Sequence, residues 1–426
     1  MVKTDEIIWI LRGIGIATLL ICTTLGTYLN YFISPIGWTE IISAISIIAI
    51  IDWRNLLSFN LHISKWLVLI LIFEIYCFYF GAANRSTISL MLKNNLPVIA
   101  FILALSTHNK NNEVFNNKII DSTFYISLVS TLLALYCIND TSIYNADYQN
   151  FEERNGAQID TFTIVMGPTV NLITCLYKKF NTKFKLLNNL IPIILILLDI
   201  YITLCTSKRT PTIRCCVFLA MFFIKNYNGE GIRLLKKLLI ICLIGSITLV
   251  SLTSDISEKI ETKISRIENG MGGIMTGEES DTGSGAFRYY IRQRTMNKIY
   301  NNLSIKTFFF GNGPYTTGQV DCQPLELFGD CGLIAIIFYT YLTIIPIVIF
   351  FRKNTHGILC FLSLYCGIET VSCLIAGTAH GFYRWFGFVL FFHFIYLEKK
   401  EIHRLRMKNE IGASCIENSE HKKIAV

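Results

Sequence analysis

A chain of 426 residues that is 52% hydrophobic and 16% charged cannot cover two or three soluble domains, which carry about 25% charged residues each. Its net charge of +8 could suggest nucleic acid, but the cations lie in loops between apolar runs, so their placement excludes that class. The 14 cysteines are scattered without a C-x-x-C pair or zinc-like spacing, and they read as apolar fillers of helix interfaces.

Apolar runs of roughly 18 to 24 residues recur along the chain, the length that a bilayer core of about 30 Å demands. The sequence predicts an all-α polytopic membrane protein of about twelve transmembrane helices. They are placed at 7–29, 32–51, 63–80, 88–106, 119–138, 161–177, 190–206, 212–224, 234–253, 325–351, 357–376 and 381–397. The first run, Ile7 to Leu29, is too long for a signal-peptide core and lacks a small-residue cleavage site, so it reads as an anchor. This gives four regions: helices 1–9 in 1–253, one large periplasmic loop in 254–324, helices 10–12 in 325–397, and a basic cytoplasmic tail in 398–426.

Charge sets the orientation. With the N-terminus in the cytoplasm, the short outer loops hold only Arg85, Arg154, Lys208, Arg209 and Arg384, while the inner segments and the tail hold most of the remaining basic residues. Residues 139–160 form an acidic outer segment. Within 254–324, Asp255 to Glu268 reads as an amphipathic helix, the glycine-rich Asn269 to Gly285 as a connector, and Phe287 to Asn301 as a basic helix with Ser284 as N-cap.

Three outer elements carry candidate chemistry. Cys205-Thr-Ser-Lys208-Arg209-Thr-Pro211 joins the seventh and eighth spans and is followed by Arg214, a cation near the hydrocarbon that must pair or snorkel. In the basic helix, Arg288 and Arg292 share a face with Thr295 and Ile299, and Arg294 and Lys298 form the neighbouring row. Guanidinium forks match phosphate oxygens, and anionic headgroups would attract the same helix. Third, Phe310-Gly-Asn-Gly-Pro314 predicts a tight turn where backbone approaches something closely, and Asp321, Glu326 and Asp330 offer carboxylates at the mouth of the tenth span. His380 and Arg384 lie in the last outer loop. Glu74, Asp199 and Glu369 fall inside spans, where a carboxylate is costly, and they also fit an ion-coupled transporter.

Together these elements resemble the O-antigen polymerase and ligase superfamily of bacterial polysaccharide assembly. The similarity covers about residues 190–350: a Ser/Lys-Arg turn before a helix, an Arg-led segment ending in Phe-Phe-Gly-Asn-Gly-Pro, and a polar stretch leading into Gly-Asp-Cys-Gly-Leu-Ile-Ala. It implies a bundle like those of membrane glycosyltransferases (GT-C-like) with the active site under an outer loop in the inner membrane. It also implies undecaprenyl-pyrophosphate-linked oligosaccharide as substrate, membrane lipids and a chain-length regulator as partners, and no cofactor. Arg209 and Arg288 match the family's arginines. Asp321 is the first candidate base, with Glu326 and His380 behind it, and Lys208, Arg214, Arg292, Arg294, His380 and Arg384 are candidates for substrate binding. No Asp-x-Asp spacing suggests a metal. The ligases carry a His-Asn pair after the turn, where this chain has Val320-Asp-Cys-Gln323, which favours polymerase over ligase. A lipid-linked oligosaccharide flippase or ion-coupled transporter is the alternative from another class.

Overall fold

The computed structural model describes residues 2–34, 36–81, 85–108, 113–139, 161–178, 180, 185–205, 209–226, 284–313, 316–317, 322–352, 355, 357–375 and 385–404. Among them the regular structure is entirely helical. The helices are α1 (Val2–Leu20), α2 (Cys22–Phe32), α3 (Trp38–Ile50), α4 (Trp53–Leu57), α5 (Lys65–Gly81), α6 (Arg85–Ser106), α7 (Glu113–Asn139), α8 (Thr161–Tyr177), α9 (Lys185–Cys205) and α10 (Arg209–Asn226). They continue with α11 (Ser284–Asn301), α12 (Ile305–Phe310), α13 (Gln323–Phe350), α14 (Gly357–Ile375) and α15 (385–404).

Two of these, α7 and α13, are long and apolar enough to cross a membrane, and the bent pair α1–α2 makes a third if counted as one span. Their outer faces are apolar as well. Tyr125, Val129, Leu132 and Tyr136 line the exposed side of α7, and Ile337, Tyr341, Ile344 and Val348 that of α13. Both stripes follow the i, i+4, i+7, i+11 spacing of one helical face, and an apolar face left exposed is suited to a lipid surround. The centre of the bundle is formed by α14 and α15, whose residues 358–370 and 385–395 are buried throughout. Phe101 and Phe386 pack edge to face at 5.3 Å, and Trp66 stacks on Phe392 at 5.2 Å.

The expected first span is not one helix. It breaks at Ile21, and α1 and α2 meet at 81°. Three threonines and Gly26 follow the break, residues that support a helix weakly. Gly26 lies so close to Thr39 that α2 pairs with α3 instead of continuing α1. The expected second span shortens to Trp38–Ile50 because Phe32 closes α2. Helix α10 begins at Arg209, and α7 reaches back to Glu113. The expected ninth span 234–253, residues 140–160 of the acidic segment 139–160, and residues 254–283, 314–315 and 318–321 of the large loop lie outside the described residues.

At one end of the bundle, Arg12 approaches Asp52 at 3.5 Å, and Asn55 donates to the Thr107 carbonyl at 2.8 Å. Beside them the His108 imidazole sits 2.7 Å from the Ile50 carbonyl. Burial, aided by Arg12, lowers the His108 pKa to about 4. The folded chain therefore takes up this proton only well below the usual imidazole range, and its contribution to stability falls as pH drops from 7 through 4. Between pH 7 and 5 the expected loss is about 2 kcal/mol. His108→Asn should narrow the difference between melting temperatures at pH 7 and 5. An unchanged difference would rule this contribution out.

Candidate functional site

The site forms where α11 and α12 meet the start of α13. Pro324 occupies the first turn of α13, where its missing N–H costs nothing. After nine residues the helix is interrupted at Gly332, with φ 75° and ψ −171°. The preceding turn's carbonyls then lack intrahelical partners and require others. The Gly-Asn-Gly turn supplies two of them. Asn312 donates its backbone N–H to the Gly329 carbonyl at 3.0 Å, and Gly313 donates to that of Asp330 at 2.8 Å. The third, Cys331, accepts from the Tyr76 hydroxyl at 2.7 Å. The turn that looked in sequence like a backbone approaching something closely thus caps the broken helix.

The approach is reciprocal. Gly311 ends α12 with φ 76° and ψ −172°, almost the conformation of Gly332. A Cβ on Gly311 would collide with the backbone of Asp330 and Cys331, and one on Gly332 with that of Phe309 and Phe310. Helix α12 is set by a capping box between Ser304 and Thr307.

Of the three carboxylates expected at this mouth, Asp330 is consumed by structure. It accepts from the Thr317 backbone N–H at 2.8 Å, from the Thr316 hydroxyl at 3.1 Å, and from the Thr317 hydroxyl. Glu326, one turn earlier on the same face, is buried, and its backbone carbonyl accepts from Thr317 at 3.3 Å. Asp321 lies outside the described residues. Gln323 accepts from Tyr339 at 2.7 Å across the break, joining the two halves of α13. Cys322 and Cys331 are both free thiols.

Helix α11 packs onto this half-helix. Ile299 lies against Gly329, Thr295 is buried, and Lys298 donates to the Thr316 carbonyl at 2.7 Å. Arg292 is half-buried on the same stripe as Thr295 and Ile299, whereas Arg294 is exposed on another face. Arg288 continues the stripe by spacing, and its side chain is outside the described set, as is that of Arg209 at the head of α10. Lys208, His380 and Arg384 are likewise outside it.

The structure places Arg214 elsewhere. It is buried between α10 and α14, where one guanidinium nitrogen lies 3.0 and 3.1 Å from the two Glu369 oxygens and the other contacts Met166 sulfur. The pair accounts for two of the charges expected inside the bundle. Removing only one partner leaves a buried charge, so Glu369→Leu should destabilise by about 3–5 kcal/mol, while the Arg214→Leu/Glu369→Leu double variant should recover most of it. Thermal unfolding in detergent reads both, and a double variant no better than the single one would contradict the coupling. Asp199 instead accepts from Asn171 at 3.0 Å and Thr131 at 3.2 Å, with Ser127 donating to Asn171. Glu74 is buried on α5, and Asn95 donates to its backbone carbonyl.

Thr316, Thr317 and Tyr76 were not legible as site residues. The adjacent threonines three residues past a Gly-x-Gly turn are a local signal for side-chain capping, but Tyr76 acts from 255 residues away. These features define, among the described residues, a helical protein with two or three helices long and apolar enough to cross a membrane and a glycine-capped helix break beside a basic helix. No protein-family model matches the chain, and no curated protein or solved structure matches it significantly.

Proposed function

We propose that the chain is a surface-polysaccharide polymerase of the O-antigen type, a GT-C-like membrane glycosyltransferase. It transfers a growing glycan from undecaprenyl pyrophosphate onto a lipid-linked repeat unit at the periplasmic face. In this reading it crosses the inner membrane about twelve times with both termini in the cytoplasm. The observation that carries the reading is the seating of the Arg292 stripe of α11 on the glycine-capped start of α13. A lipid pyrophosphate keeps its tails in the bilayer, so its charge is confined to such a surface-level groove.

The acceptor hydroxyl attacks the anomeric carbon, the bond to the pyrophosphate oxygen breaks, and the proton passes to Asp321, with Glu326 or His380 as the other bases. Pyrophosphate is a good leaving group, so the greater need is stabilisation of its charge. Arg209 and Arg288 supply it, because fixed cations in a partly dry groove act strongly and need no reorganisation. Lys208, Arg292, Arg294 and Arg384 surround the substrate.

The surface glycan of a deletion strain tests this. Lipid core capped with a single repeat is expected. Loss of capped core with long chains retained on the carrier would mean ligase. The buried Asp199 network and the Arg214–Glu369 pair favour a second reading as flippase or ion-coupled transporter, in which repeats would stay on the cytoplasmic side. Orientation is tested by single cysteines in a variant freed of native ones. Periplasmic reagent should label position 270 and not 181, and the reverse would overturn the topology.

A further inference from the structure

We infer that the outward face of α11 and α12 is a lipid-docking surface that seats in the anionic headgroup layer of the outer leaflet. This rests on the reading of the chain as a multi-pass membrane protein with this segment outside. Helix α11 has two faces with different partners. Thr295 and Ile299 are buried, Ile299 against Gly329 of α13, while Met296 and Tyr300, one turn apart on another face, are exposed, as is Leu303 in the connector to α12. The exposed apolar side chains continue into α12, where Ile305 is 84% exposed and Phe309 42%. Tyr300 is 77% exposed. A short surface element with this much apolar side chain in the open is unstable in water and stable at a bilayer interface, where aromatic rings and aliphatic side chains settle at headgroup depth.

Charge identifies the headgroup. Lys306 borders Phe309 on α12, exposed Arg294 and Lys298 lie on the side of α11 away from Met296, and no acid occurs between Arg288 and Asp321. A surface element with exposed apolar side chains and only basic charge attracts anionic lipid. Its consequence for the site is positional. Lipid on the outer face and α13 on the inner face would hold α11 flat, with the Arg288 and Arg292 stripe at the depth where a lipid-linked phosphate must lie.

The test is depth, read by spin labels on the full-length chain with native cysteines removed, in nanodiscs of phosphatidylcholine with or without about a third phosphatidylglycerol. Labels go at Tyr300→Cys and Ile305→Cys, with Val129→Cys on α7 as the lipid reference and His403→Cys as the aqueous one. Both test labels should collide more with oxygen than with a water-soluble nickel chelate, falling between the two references. Anionic lipid should lower the nickel collisions severalfold, and Arg294→Gln/Lys306→Gln should remove that drop. Labels that behave like His403 in both bilayers would overturn the proposal. So would labels shielded from both reagents, which would mean that protein covers the face, and so would indifference to anionic lipid. No turnover is read, so docking can fail while polymerisation stands, and lost polymerisation leaves the depth unchanged.

Discussion

Replacing Arg288 or Arg209 by alanine is expected to reduce glycan transfer by roughly 30- to 1,000-fold, from the loss of about 2–4 kcal/mol of transition-state stabilisation. Arg209 heads α10, and Arg288 continues the Arg292, Thr295 and Ile299 stripe of α11 by spacing. In the proposed polymerase reading, each is one half of a clamp on a charge that grows as the glycosidic bond to pyrophosphate breaks. Lysine keeps the charge and loses the planar fork, so an intermediate loss is expected from both lysine variants. Glycan ladders from strains with matched membrane abundance read the effect. Normal ladders from both alanine variants would remove the clamp.

Gly311→Ala and Gly332→Ala are expected to abolish the folded protein rather than its chemistry. Both glycines hold a positive φ with ψ near 180°, a region essentially closed to other residues. In each, a Cβ would also meet the backbone of the facing segment, which cannot move aside as a flexible side chain could. The backbone strain alone costs about 1–3 kcal/mol, and the collision adds to it. Gly357 is the control. Its φ of 58° is left-handed too, but a Cβ there meets nothing within 4 Å, so Gly357→Ala should cost only about 1–2 kcal/mol. Membrane abundance and melting temperature should separate the two classes. Equal tolerance of all three substitutions would contradict the reciprocal cap.

Much of the helix layout was legible because a long apolar run leaves few alternatives. The close approach at Gly311–Gly313 was legible because Gly-x-Gly is a local backbone signal. What hydropathy missed is short-range geometry inside apolar runs. The bend at Ile21 and the break at Gly332 each occupy about one residue, and averaging over a span-length window erases them. The broken helix matters for the site, since the Gly329 and Asp330 carbonyls just before the break are the ones that the Gly-Asn-Gly turn bonds. Pairings across the fold were also out of reach. Arg214 could be recognised as a cation in need of a partner, but Glu369 is 155 residues away, and only packing selects it over Asp199 or Glu74. Asp330 looked as available as Asp321 and Glu326 because its owners, Thr316 and Thr317, act through a turn whose shape the sequence does not state.

The most direct measurement is reconstitution of the purified full-length chain in vesicles with a synthetic repeat unit on undecaprenyl pyrophosphate. The polymerase reading predicts a ladder of carrier-linked oligomers, with one undecaprenyl pyrophosphate released for each new glycosidic bond and the ladder lost in Arg288→Ala. Single repeat units that remain unlinked, while the active chain carries them across the vesicle membrane, would contradict it.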